Sequence, residues 1–397
     1  MAFNFPLFFI FSCSLTCGVV FLGVLVGFGY MLAEYGFKPT TISVLLLATL
    51  PYSFKFAISP FVKNIIFKSN GNITKKQAFI CQFIIIVGMS LFGIYTRDSS
   101  PILMFINMLI VVLAGSVHDL LGDYIRLVNF KDKTLGIATS VGTVGFRIGM
   151  LISGAGILYL ASFFGWKYAF AIASLSILIS TFSTIFLSQY EMPKESTNSL
   201  KQYLSFCINL FKKHNIILII LLTLSFKFAD STINGLKTVF LHSNGIGKID
   251  FANISQVTGV LITLIVGTVS GAVTYKYDIK KCMKAAFILQ IIPAMCFLHI
   301  AVFGNNSFLL TATLINISTF FLGFSSVIYR VYISEISEAD INTYTILLSI
   351  GSMFRSLSVC LGGIIVDEFS WTALYIICIL ANIPGLVVCY FWRWNRV

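Results

Sequence analysis

Eight ionisable side chains stand within stretches that are otherwise long and apolar: Lys55, Asp119, Asp123, Arg126, Arg147, Lys227, Asp230 and Arg355. A charge in hydrocarbon is costly, so such a residue is paired, faces a water-filled cavity or handles a charged solute. Arg147 lies near the middle of GTVGFRIGMLISGAGILYLASFFGW at 142–166, and Arg355 lies in MFRSLSVCLGGIIVDEFSW at 353–371. Both segments carry Phe-Arg, both place a glycine seven residues on (Gly154, Gly362), and both end in a turn followed by Trp. A guanidinium offers a fixed fork of donors that fits a carboxylate or phosphate. Arg147 and Arg355 therefore either bind an anionic solute or hold their own bundles together through an acidic neighbour.

The other charges divide in the same way. Lys55, in PYSFKFAISP, is either a cavity cation that draws an anionic solute or half of a salt bridge that fixes helix packing. HDLLGDYIR holds His118, Asp119, Asp123 and Arg126. Asp119 and Asp123, four apart, share one face of a helix and oppose each other's ionisation, the property a proton carrier needs. Asp119 lies deeper and is the proton-coupling candidate. Asp123 and Arg126, near the inner end, read as a cytoplasmic gate salt bridge, and His118 as a packed or hydrogen-bonded ring. In LSFKFADSTINGLK, Lys227 and Asp230 are three apart and can pair within one helix. They also suit a cavity, with Lys227 as a substrate-binding cation and Asp230 as the alternate proton carrier. Lys237 lies nearer the outer end, where its long stem snorkels.

The elements that must position these groups are membrane helices. Hydrophobic residues make up 57% of the 397-residue chain, charged residues 11%, and the mean hydropathy is +0.93, which excludes an ordinary soluble domain. Apolar runs long enough to span a bilayer fall at roughly 6–32, 41–66, 77–96, 102–127, 135–163, 166–189, 214–241, 252–275, 283–303, 307–333, 342–366 and 371–392. The first lacks a basic leader and reads as an uncleaved helix. With the N-terminus inside, 18 of the 27 Lys and Arg fall in inside segments and four (Lys38, Arg97, Lys167, Lys248) outside. That asymmetry makes both termini cytoplasmic and assigns the net charge of +12 to membrane topology, not to nucleic acid. Gly142, Gly145, Gly149 and Gly154 sit at close-packing spacing and read as a helix interface.

Twelve spans, one long polar connection and the echo between halves point to the major facilitator architecture. This is an all-α integral membrane protein of two pseudo-symmetric six-helix bundles, residues 1–189 and 214–397, joined by a cytoplasmic linker at 190–213. The linker holds an amphipathic piece, LKQYLSFCINLFKK, suited to the membrane surface. The connection GTVSGAVTYKYDIKK at 267–281 looks like the short basic loop of that architecture, with glycines that let helices approach. No nucleotide-binding, zinc-protease or serine-hydrolase motif occurs, so the chain does not read as an enzyme. The nine cysteines are scattered, with no CxxC and no His/Cys spacing of a metal site; buried free thiols and no metal are expected.

PYSFKFAISPFVK, HDLLGDYIR, GFRIGMLISGAG running to FGW, FKFADS, and LLSIGSMFRS running to FSW resemble the AmpG-type muropeptide permeases of the major facilitator superfamily. The counterparts there are PYxFKFxWSPLxD, QDxxxDAYR, GYRxGML, YKxGD and LLSAxxxxGR. The likeness covers essentially the whole chain. It implies a monomeric proton symporter in a bacterial inner membrane that imports anhydro-muropeptides and GlcNAc-anhydroMurNAc by alternating access, driven by the proton gradient without a cofactor. Its partners are then that small-molecule solute and membrane lipid. The sequence departs from the pattern at Ile58, at Lys63 where an Asp is expected, and at His118 where a Gln is expected. A carrier of another anionic metabolite, nucleotide-like or acetyl-CoA-like, is the alternative, and a membrane enzyme a more distant one.

Overall fold

A computed structural model describes residues 5–53, 73–130, 132–186, 216–304, 307–337 and 341–391. Among the described residues every regular element is helical, and eleven helices are long and apolar enough to cross a membrane. In chain order they are α1 (Phe5–Glu34), α3 (Lys75–Phe92), α4 (Pro101–Arg126), α5 (Ile137–Phe164), α6 (Trp166–Ile185), α7 (Ile216–Ser243), α8 (Lys248–Lys276), α9 (Ile279–Phe303), α10 (Phe308–Ile336), α11 (Ile346–Glu368) and α12 (Trp371–Tyr390). The described part of α2 is 39–53, and the expected span runs on beyond it. The chain is thus the all-α membrane protein with the twelve-span plan expected. Hydrocarbon offers no partner to backbone polar groups, so helices are the way this chain can satisfy them. The linker, its amphipathic piece, Lys55 and Lys63 lie outside the described residues.

Local chemistry sets the ends. Pro39 and Pro101 occupy the first turns of α2 and α4, where a missing N–H costs nothing. Gly165, at φ 82°, turns the chain from α5 into α6 in a left-handed conformation that a side chain disfavours. Asp278 and Ser370 cap α9 and α12 by accepting from the backbone N–H of Lys280 (2.7 Å) and Ala373 (3.1 Å).

The chain divides into two compact units, Met1–Phe37 with Ala48–Thr197 and Lys38–Leu47 with Asn198–Val397. The expectation placed all of 1–189 in one bundle; Lys38–Leu47 instead packs with the second unit, against α11. The Thr40 N–H donates to Asp367 Oδ2 at 2.9 Å and its hydroxyl to the Gly363 carbonyl at 3.2 Å. Gly363 has no side chain to hold off Pro39 and Ser43.

Within the first unit, α1 and α5 approach almost backbone to backbone. A Cβ on Gly145 would meet the Phe11 carbonyl, and one on Gly149 the Leu15 carbonyl; Gly18 faces the Phe146 carbonyl in return. The interface reading holds for Gly142, Gly145 and Gly149, each of which faces α1. Gly267 and Gly271 differ from expectation: each faces open space inside α8, so neither serves a helix approach. The repeated Trp has a packing role in both units. Trp166 lies 6.3 Å from Tyr30 of α1 and donates to Glu34 Oε2 at 2.6 Å, while Trp371 lies 5.0 Å from Phe240 of α7. Each ties the start of an even-numbered helix to the end of its unit's first helix.

Gly149→Ala forces α1 and α5 apart, and overpacking of this kind costs about 1–3 kcal/mol. The expected outcome is a lower unfolding midpoint in detergent, whereas Gly271→Ala, with no neighbour to displace, leaves the midpoint unchanged or slightly raised. Equal effects of the two substitutions refute the close-approach assignment.

Candidate functional site

The densest polar chemistry in the second unit lies on α7. Lys227 donates to Asp230 Oδ2 at 3.1 Å, one turn away, and the two side chains are only 12% and 5% exposed. Asn234 continues the column, its Nδ2 donating to the Asp230 carbonyl at 3.0 Å and to Oδ1 at 3.4 Å. Residues 227, 230 and 234 recur at helical spacing, so they present one face of α7.

That face is backed by aromatic rings. The Lys227 ammonium stands 4.8 Å from the centroid of Tyr329 on α10, close enough for attraction to the ring face. Tyr329 stacks on Phe226 at 4.7 Å and donates to Thr223 Oγ1 at 3.3 Å, which locks its orientation. Gly351 of α11 lies over the same spot: a Cβ there would come within 3.1 Å of the Tyr329 hydroxyl and 3.8 Å of Lys227 Cε. One turn further along α11, Arg355 is exposed. Arg330, which follows Tyr329 on α10, is exposed as well. A buried ion pair on α7 thus lies in the same unit as two exposed guanidiniums, on the helices that carry Tyr329 and Gly351 against it.

Sequence reasoning selected Lys227, Asp230 and Arg355; the first two pair on α7, and Arg355 stands exposed on α11 one turn beyond Gly351. It gave Arg330 no site role, although the expected span at 307–333 holds it; α10 continues to Ile336 and carries it on the helix. Tyr329 and Gly351 gave no signal, since neither is charged and their role comes from packing against α7.

In the first unit, Asp119 on α4 and Arg147 on α5 are half-buried. Arg126 Nη2 lies 2.7 Å from Asp123 Oδ1, the two being 28% and 42% exposed; the bond closes one turn of α4 and joins no second helix. His118 is buried, as expected of a packed ring, but its surroundings are not bland. Cys13, Cys17 and His118, far apart in sequence, place their sulfur and nitrogen atoms within 4.8 Å of one another. The eight described cysteines are free thiols, seven of them buried.

Residues 7–358 match the Major Facilitator Superfamily. A protein named "Putative transporter AmpG 4" from Rickettsia conorii is 25% identical over 97% of this chain and 96% of its own length. "Putative transporter AmpG 3" of Rickettsia typhi is likewise 25% identical, over 96% of this chain and 93% of its own. In three dimensions, a crystal structure of the nucleoside transporter NupG superposes with a TM-score of 0.75 at 17% identity, covering 99% of this chain and 100% of that one. An auto-inhibited POT family peptide transporter gives 0.69 at 10% identity, covering 99% and 98%. Both structural likenesses bear on the fold alone.

Removing one member of a buried ion pair strands the other and costs about 3–5 kcal/mol, whereas removing both is close to neutral. Lys227→Met and Asp230→Asn are each expected to lower the unfolding midpoint in detergent, and the double substitution to restore most of it. Additive losses would show that the two side chains do not depend on each other.

Proposed function

The chain belongs to the Major Facilitator Superfamily, and on that premise we propose that this membrane transporter is a proton-coupled importer of anhydro-muropeptides and GlcNAc-anhydroMurNAc in a bacterial inner membrane. The observation that carries the reading is the buried Lys227–Asp230 pair on α7, with the exposed Arg330 and Arg355 on the two helices packed against Lys227. The relatives that carry the name "Putative transporter AmpG", matched along nearly the full chain, support the reading, and the solute class is the one that the resemblance of the motifs implies.

The mechanism follows from the competition for Lys227. A proton on Asp230 neutralises the carboxylate and releases the ammonium, which then joins Arg355 in drawing the solute's carboxylate. Loss of that proton toward the more alkaline side re-forms the pair and displaces the solute. Because the Asp230 carboxylate and the solute's carboxylate contend for one cation, the solute binds when Asp230 is protonated, each crossing couples the two, and the proton gradient suffices as the energy source without a cofactor. In the first unit Asp119 is proposed as a further proton carrier, with Arg147 and Lys55 as solute-binding cations and Asp123–Arg126 as a cytoplasmic gate. The Lys/Arg distribution supports cytoplasmic termini.

A second reading rests on the cations themselves, which take a phosphate as readily as a carboxylate. Together with the departures at Ile58, Lys63 and His118, this supports another anionic metabolite, nucleotide-like or acetyl-CoA-like, as the alternative solute.

The test is uptake of labelled GlcNAc-anhydroMurNAc, with and without its peptide, by bacterial cells that lack their own permease and express this chain. Accumulation is expected to fall at least tenfold when a protonophore collapses the gradient. Asp230→Asn should abolish gradient-driven accumulation yet retain solute exchange, because the solute-binding cations remain. Uptake that ignores the gradient refutes coupling. Absence of uptake by well-expressed protein refutes the muropeptide reading and leaves the phosphate-bearing solutes.

A further inference from the structure

We propose that Cys13, Cys17 and His118 form a binding site for one soft d10 cation, Cu(I) or Zn(II), that ties α1 to α4 inside the first unit. Cys13 and Cys17 are one turn apart on α1, so both sulfurs leave the same face of the helix. His118 meets them from α4, with its Nδ1 3.4 Å from Cys13 Sγ and all three ligand atoms within 4.8 Å of one another. Around a cation bonded at about 2.3 Å to sulfur and about 2.0–2.1 Å to imidazole, ligand atoms stand roughly 3.5–4 Å apart. The site is therefore already near its closed dimensions. Its members are 1%, 2% and 0% exposed, so no water competes for the ligand positions.

The far side of the imidazole provides a second, independent observation. Gln82 Nε2 lies 3.0 Å from His118 Nε2, 3.2 Å from Ser180 Oγ and 2.8 Å from Thr184 Oγ1, while Gln82 Oε1 is buried without a partner. Turning that carboxamide over trades one unpartnered atom for another and points its oxygen at His118 Nε2–H. A metal-bound imidazole needs this kind of support: the outer nitrogen donates to an oxygen, which leaves the inner lone pair aimed at the metal. The Ser180 and Thr184 hydroxyls then turn toward the same oxygen, the latter leaving the Ser180 carbonyl to which it donates at 2.8 Å. His118 is thus held on α4 by a polar shell contributed from α3 and α6, with its free nitrogen directed at two thiols.

Softness selects the cation. Thiolate sulfur favours Cu(I) and Zn(II) over hard cations such as Mg(II) or Ca(II). On binding, both thiols lose their protons; two thiolates and a neutral imidazole then give a neutral complex with Zn(II) and a singly negative one with Cu(I). Three ligands complete a Cu(I) site. Zn(II) prefers a fourth, and the His118 carbonyl, 3.1 Å from Cys13 Sγ, is the nearest oxygen seen. The two cations are separated by experiment.

The full chain is expressed in medium supplemented with copper or with zinc, purified in detergent without chelator, and its metal measured by inductively coupled plasma mass spectrometry. About one metal per chain is expected in one arm, and at least a tenfold drop in His118→Gln and in Cys13→Ser/Cys17→Ser. A readout on the wild-type protein guards against misfolding of the variants. In denaturant sufficient to expose them, Cys13 and Cys17 should resist alkylation until a chelator strips the metal, while Cys360 labels equally before and after. Less than about 0.1 metal per chain in both arms overturns the proposal. So does full metal content in the double Cys variant, or alkylation of Cys13 and Cys17 that is indifferent to the chelator.

Discussion

An unpartnered ammonium or carboxylate does not persist in hydrocarbon, and in the second unit Lys227 and Asp230 meet that constraint by answering each other across 3.1 Å. Much of the surrounding architecture serves the pair. Tyr329 and Phe226 stack to give the ammonium an aromatic wall, Thr223 fixes the tyrosine, and Asn234 occupies the carboxylate's second oxygen. Gly351 leaves room for α11 to lie against this wall, and Arg355 stands exposed one turn further along that helix. A buried pair flanked by helices that carry exposed cations is more than scaffolding requires, since the pair already satisfies itself. The same arrangement suits a site whose ionic partners exchange.

Helix contact in the first unit depends on the absence of side chains. Apolar packing alone brings helices together weakly in lipid, because the tails compete on equal terms. Gly18, Gly145 and Gly149 let α1 and α5 meet at their backbones, and a buried cluster of Phe28, Phe92 and Phe170 fills the space where three helices converge. The π-helical turns at Gly23–Phe28 in α1 and Ile152–Gly156 in α5 follow directly on that contact. Such turns shift the register of side chains by one position without ending the helix.

The first unit also contains polar groups that no membrane needs for stability alone. Ser12 pairs with Ser183 at 2.6 Å, Gln82 spans Ser180 and Thr184, and His118 closes the network against Cys13. Networks of this kind, here satisfied except at Gln82 Oε1, fix one arrangement of helices, because each partner is lost if a helix rotates. The Asp123–Arg126 bond differs in kind: it lies within one turn of α4, so it stiffens that helix end and leaves both groups accessible to partners elsewhere.

Much of this was written in the chain. Apolar runs of bilayer length set nearly every span to within a few residues, because hydrocarbon permits only helices there. The Trp echo marked two helix starts that pack alike, and the three-residue spacing of Lys227 and Asp230 was enough to pair them, since neighbours on one helical turn meet wherever the helix lies. Relations between helices were not legible. Nothing in the sequence puts Tyr329 and Gly351 against Lys227, sends Lys38–Leu47 to α11, or brings Cys13 and Cys17 to His118 across some 100 positions. Periodicity within a segment fixes which residues share a face. Which faces meet depends on side-chain shape and on missing side chains at crossings, and only the folded chain decides that.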